Sequence, residues 1–172
     1  MDLPRRKANL LPDYDYSQPG CYFVTICARE RQSLFWDGTA SHMGVGADII
    51  RPWTEQLSPV GLLVRQAIQD IPVHYPNVSL EHYVVMPNHV HILLSIGGDG
   101  GRMISAPTTP LSTIVGQMKR AAAKAAGHPI WQKGYHDHVV RNDADYLRIW
   151  SYIDTNPAKW REDCYFTETE ES

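Results

Sequence analysis

Apolar positions along the chain change period several times, and each change marks an element. Residues 21–28 (CYFVTICA) are rich in β-branched and aromatic side chains, which predicts a buried strand. Across residues 54–70, Leu57, Val60, Val64, Ala67 and Ile68 recur at helical spacing, with Ile71 just beyond. Ser58-Pro59 offers a helix start with proline at the first position, and Pro72 a stop. Residues 80–86 (LEHYVVM) and 89–96 (HVHILLSI) read as two strands of a hairpin turning at Pro87-Asn88. A helix over 110–126 is closed by Gly127, and a short strand is expected near 138–141. The last helix, 144–154, carries Tyr146, Ile149, Trp150 and Ile153 on one face and ends at Asn156-Pro157. Residues 1–19 read as an arm, 37–52 as an irregular loop and 97–107 as a glycine-rich linker, without the lysine and spacing of a phosphate-binding loop.

The order strand, helix, hairpin, helix, short strand, helix is neither all-α nor doubly wound. It predicts an α+β fold, a ferredoxin-like antiparallel sheet with helices packed on one face. A chain of 172 residues suits one domain with a sizeable core. The expected organisation is an N-terminal arm (1–19), a main domain (20–163) and an acidic C-terminal tail (164–172).

Composition excludes more than it selects. No apolar run approaches the roughly 18 residues a membrane helix needs, and the first residues lack the apolar stretch of a secretory signal, so the expected location is the cytoplasm, with no membrane partner. Cys21, Cys27 and Cys164 form no CxxC pair, and Cys21 and Cys27 lie too far apart along one strand to bond. The formal charge of −3 does not announce a nucleic-acid binder. Its distribution is less neutral. Residues 162–172 hold five acids and no Lys or Arg, which leaves 16 bases against 14 acids before them. Arg5, Arg6 and Lys7 form one basic cluster, and Lys119 and Arg120 with Lys124 another; both are candidate phosphate contacts, and solvated surface charge is the bland alternative.

Chemistry-bearing residues gather at two places. In a strand, His89 and His91 point to the same face about 6.6 Å apart along the chain, so both imidazoles can converge on one cation while Val90 faces the packed side. An HxH pair arises readily among eight histidines, and His136-Asp137-His138 is a second one. Two histidines also leave a cation short of ligands. On the last helix, Tyr152 and Asn156 are four residues apart and share a face. A tyrosine phenol ordinarily titrates near pH 10, so it is a poor nucleophile unless a neighbouring cation or base helps it. The amide oxygen of Asn156 is a candidate third ligand. With nine tyrosines in the chain, composition and periodicity do not by themselves select Tyr152.

Three segments in order, DYDYSQPGCYFVTICARERQSLF, EHYVVMPNHVHILLSI and WQKGYHDHVVRNDADYLRIWSYIDTNPAKW, resemble the REP-associated tyrosine transposases, within the single-tyrosine HUH (IS200-like) transposases. The resemblance runs from about Asp13 to Asp163 and is poor in the glycine-rich loop. It implies a metal-dependent single-stranded DNA endonuclease and strand transferase for DNA transposition or recombination, with Mg2+ or Mn2+ as cofactor. His89 and His91 match the HUH motif as metal ligands, and Tyr152 matches the nucleophile that forms a 5′-phosphotyrosine intermediate. Related transposases carry Gln four residues after the tyrosine as third ligand; here Asn156 stands there, one methylene shorter. The implied partner is single-stranded or hairpin DNA from palindromic repeats, in the nucleoid, bound by a monomer or homodimer. Two other readings stay open: a repeat-hairpin binding module without catalysis, and an unrelated metallohydrolase that activates water.

Overall fold

The computed structural model describes residues 14–37, 54, 56–97 and 109–167. Four strands, β1 (Gly20–Cys27), β2 (Val78–Val85), β3 (His89–Ile96) and β4 (His136–Val140), form one sheet in the order β2-β3-β1-β4. Every neighbouring pair is antiparallel. With helices α1 (Pro59–Gln69), α2 (Ile71–His74) and α3 (Leu111–Ala126) on the crossovers, this is the ferredoxin-like arrangement the element order predicts. The last helix, α4 (Asp143–Thr155), continues into a 3-10 stretch, Asn156–Glu162.

Local signals in the sequence account for most boundaries. Ser58 caps α1 by accepting from the Gly61 N–H, with Pro59 at the first helical position. Gly61 is also where α1 meets the backbone of Phe35: a Cβ there would lie 2.0 Å from the Phe35 carbonyl oxygen. Gly127 closes α3 in the left-handed conformation (φ 77°). Asn142 caps α4 by accepting from the Asp145 N–H. Pro72 does not end the helical path as expected. The chain breaks at Asp70 and resumes as α2, with Pro72 in its first turn, where a missing N–H costs nothing. The expected short strand near 138–141 begins two residues earlier, at His136.

Strand alternation gives the sheet two different faces. Tyr22, Val24 and Ile26 on β1 and Val90, Ile92, Leu94 and Ile96 on β3 are buried in the main apolar core. α1 and α3 cover this face: Gln69 at the end of α1 donates to the Tyr83 hydroxyl, and the Leu111 N–H at the start of α3 reaches the Tyr16 carbonyl beside Tyr22. Tyr14 and Tyr16, at the foot of the arm, pack on Tyr22 and extend the core. The other face carries Phe23, Thr25, His89 and His91, and α4 lies across it. Trp150 of α4 stacks on His82 of β2 at 4.3 Å between ring centroids, and Asp154 lies 3.7 Å from the same imidazole. The helices are thus divided: α1 and α3 on the core face, as expected, and α4 on the opposite one. The irregular loop expected at 37–52 and the linker expected at 97–107 lie, apart from Asp37 and Gly97, outside the described residues. Among the described residues no helix is long and apolar enough to cross a membrane, and the three cysteines are free.

Candidate active site

His89 and His91 sit on β3, in the middle of the sheet, and both side chains are buried. Their Nε2 atoms face each other at 3.0 Å. The other ring nitrogens are held from behind. His89 Nδ1 lies 2.9 Å from Asn88 Oδ1, and His91 Nδ1 lies 2.8 Å from Thr25 Oγ1, its cross-strand partner.

These contacts fix the tautomer of His89. Asn88 Nδ2 donates to the Tyr165 carbonyl at 2.8 Å and to the Arg31 carbonyl at 3.3 Å, so its amide oxygen must be the atom that faces His89. That oxygen can only accept. His89 therefore donates from Nδ1, and its Nε2 lone pair points at His91. Thr25 is more permissive, since a hydroxyl can donate to Nδ1 or accept from it. His91 can thus present either an N–H or a lone pair to the shared space. Burial holds both imidazoles in the neutral form: His89 titrates well below the ordinary histidine range, and His91 is pushed down to about 3.

The backbone that carries Arg31 is unusual. Glu30 (φ 54°) and Arg31 (φ 55°) are non-glycine residues in the left-handed region, which costs each roughly 1–2 kcal/mol. The strained turn presents the Arg31 carbonyl to Asn88 and sets the Arg31 guanidinium over the Tyr165 ring, 5.4 Å from its centroid.

Tyr152 approaches from α4. Its hydroxyl is 3.4 Å from His91 Nε2, and its ring packs edge-on against Phe23 and His91. The residue is 40% exposed, although its oxygen reaches a buried histidine pair. Burial, then the charge of Asp163, push the Tyr152 phenol up to about 12, while the Asn156 side chain favours the ionised form. Asn156 is buried, and its amide nitrogen has no hydrogen-bond partner.

Residues 160–166 close the site. The Trp160 and Tyr165 rings pack against His89, and the Asp163 side chain is 3% exposed with Oδ2 3.9 Å from His89 Nε2. At that distance an ion pair would need a protonated His89, which its burial opposes, so the carboxylate oxygen faces a lone pair. Ligand atoms of His89, His91 and Asp163 all lie within 4.8 Å of one another. Two neutral imidazoles and a carboxylate are a donor set that fits a divalent cation.

The structure thus brings His89, His91, Tyr152 and Asn156 to one place. It does not bring Lys119 and Arg120 there, because α3 lies on the other side of the sheet. Lys119 is half-buried and donates to the carbonyls of Gln132 and Gly134, both at 2.8 Å; Arg120 is exposed. Arg5, Arg6 and Lys7 lie outside the described residues. Sequence reasoning missed Thr25, Asn88 and Asp163. Asn88 adjoins His89 and was legible as a turn residue only. Thr25 is selected by strand register, which no local pattern reveals, and Asp163 by a fold-back of the chain after Pro157.

No family model matches the chain. A protein of Haemophilus influenzae of unassigned function is 28% identical over 94% of this chain and 93% of its own length. A second Haemophilus influenzae protein, described as a "Putative REP-associated tyrosine transposase", is 25% identical over 84% of this chain and 74% of its own. Among solved structures, a REP-associated tyrosine transposase bound to a REP hairpin superposes with a TM-score of 0.55 at 24% identity, over 93% of this chain and 74% of that one. In sequence and in fold, then, the chain resembles the tyrosine transposases. Within them it is similar to the REP-associated group, to which both named matches belong.

Proposed function

We propose that this protein is a metal-dependent DNA strand transferase that cleaves single-stranded DNA beside repeat hairpins through a 5′-phosphotyrosine intermediate, with Tyr152 as nucleophile. The observation that carries the reading is the hydroxyl of the partly exposed Tyr152, 3.4 Å from His91 Nε2, itself 3.0 Å from His89 Nε2. The solved relative bound to a REP hairpin supports the substrate class.

His89 and His91 are the proposed ligands of a Mg2+ or Mn2+ ion. Such an ion supplies Lewis acidity, polarising a phosphate oxygen and stabilising the charge that develops in the transition state. The chain's own residues do the rest. Phe23 and His91 hold the Tyr152 ring with its oxygen 3.4 Å from His91 Nε2. The Tyr152 oxygen attacks phosphorus, the bond to the 3′ oxygen breaks, the phenol proton passes to water, and the leaving 3′ oxygen takes up a proton. Because the new phosphotyrosine is also a diester, a 3′-OH can reverse the step without ATP. Arg5, Arg6 and Lys7, with the exposed Arg120, are the proposed contacts to the DNA backbone.

The test is a labelled hairpin oligonucleotide with a single-stranded flank, incubated with protein and Mn2+ and run on a denaturing gel. The expected result is an SDS-stable adduct that disappears with EDTA and in Tyr152→Phe. Cleavage without adduct would assign the site to a metallohydrolase. Hairpin binding with neither cleavage nor adduct would leave a DNA-binding module only.

A further inference from the structure

The two histidines do not complete a metal site, and the resemblance to other transposases points to Asn156 for the third ligand. The geometry points to a different residue: we infer that Asp163, just past the 3-10 stretch that follows α4, supplies the third metal ligand. This rests on the reading of His89 and His91 as metal ligands.

Three observations carry it. Asp163 Oδ2 is 3.9 Å from His89 Nε2, and the three donor atoms fall within 4.8 Å of one another, a few tenths of an ångström wider than the roughly 4.4 Å that two ligands about 2.2 Å from one ion can span, so a small inward shift would complete the set. The carboxylate is already aimed. Its Oδ1 accepts the Tyr165 N–H at 2.8 Å, which leaves Oδ2 turned toward the histidines, and the same Tyr165 gives its carbonyl to Asn88, the residue that orients His89. One short loop therefore positions the carboxylate and, through Asn88, one imidazole, as ligand-orienting contacts do in metal sites. The third observation is electrostatic. The Asp163 side chain is 3% exposed, and a cation held beside it would offset the cost of burying its carboxylate.

Asn156 reads differently. It is buried one helical turn beyond Tyr152, whereas it is the Asp163 carboxylate that has an oxygen 3.9 Å from His89 Nε2. The mixed set of two imidazoles and one carboxylate also suits Mn2+ better than Mg2+, which makes Mn2+ the probe of choice.

The test is calorimetric titration of Mn2+ into the full chain, without DNA, for wild type, Asp163→Asn, Asp163→Ala, Asn156→Ala and His91→Ala. Asp163→Asn keeps the oxygen that accepts from Tyr165, so it preserves the loop, and metal-free thermal melts check that. Asp163→Asn and Asp163→Ala are expected to weaken Mn2+ affinity about 10–100-fold, the range known for losing support in a metal site, while Asn156→Ala binds as wild type does. A second readout is hydrogen exchange. Mn2+ should slow exchange at residues 163–166 in wild type and leave it unchanged in Asp163→Asn. If both Asp163 variants bind Mn2+ like wild type while His91→Ala loses it, the assignment of Asp163 is overturned and the histidine site stands. If wild type itself takes up no Mn2+, or His91→Ala binds as well as wild type, the histidine reading falls and this inference with it.

Discussion

On β3, Val90, Ile92, Leu94 and Ile96 face α1 and α3, while His89 and His91, one residue out of step on the same strand, face α4 and the fold-back at 160–166. All are buried, so burial does not distinguish the two faces. What differs is what burial does there. On the core face it contributes roughly 1.5–3 kcal/mol per large apolar side chain and needs no particular partner. On the site face it costs free energy at each polar atom, and particular contacts offset it: Asn88 for His89, Thr25 for His91. The two Nε2 atoms meet each other at 3.0 Å, and the Asn156 amide nitrogen is left without a partner. This face depends on named partners where the core face needs none.

The largest effect expected from breaking this contrast is on the site face. His91→Ala should lower adduct formation by about 10²–10³-fold or more, since it removes a ligand where charge develops. It should also cost about 1–3 kcal/mol of stability, because Thr25 and His89 lose their partner, but the fraction that stays folded should still form little or no adduct. A loss of fold as large as the loss of activity would show that the two faces are not separable. On the core face, Ile92→Ala should do the reverse. It should cost about 2–5 kcal/mol in denaturant unfolding, while the folded fraction, measured well below its midpoint, forms adduct as wild type does.

An intermediate effect is expected from pH. His89 and His91 are held neutral in the folded chain, His91 down to about 3, whereas both take up protons near 6.5 when unfolded. The unfolded state then binds more protons below 6.5. The stability from keeping these rings neutral is present in full above about pH 6.5 and is lost as pH falls, by about 1.4 kcal/mol per unit for each ring. Urea unfolding between pH 7 and 4.5 should show this slope, and His91→Ala should flatten it by about half. An unchanged slope would mean that the ring is not held neutral by burial.

The sequence made one face far more legible than the other. Period-two apolar runs and helical spacing located β1, β3, α1 and α3, because core packing is written locally in which residues are apolar. The paired histidines were visible by the same period. Their supports were not. Thr25 meets His91 through the register of β1 on β3, and Asp163 comes over the pair only because the chain turns back after Pro157. Neither relation leaves a spacing rule. Tyr152 stood out through family resemblance, since its helix is only weakly amphipathic and a helical tyrosine is ordinarily packing. α4 itself was expected with the other helices, and its pattern of Tyr146, Ile149, Trp150 and Ile153 gives a buried face without saying which side of the sheet receives it.

The smallest effect is also the sharpest comparison, because it exchanges the two faces at adjacent residues. Thr25→Val keeps the shape of the side chain and removes the oxygen that His91 Nδ1 meets at 2.8 Å. The ring then loses the hydroxyl that holds it from behind, and Nδ1 becomes a buried polar atom without a partner. Mn2+ affinity should fall about 10–100-fold, with a stability loss of about 1–3 kcal/mol. Val24→Thr, one residue back, makes the opposite exchange. It places a hydroxyl against the sealed apolar core, where Val24 is fully buried, and should cost about 1–3 kcal/mol while leaving Mn2+ affinity as it was. Similar stability losses with metal binding altered in only one variant would show that the oxygen of Thr25 acts through His91 rather than through packing. If both variants lose Mn2+ equally, the metal site depends on the general integrity of β1, and the hydroxyl has no particular role in it.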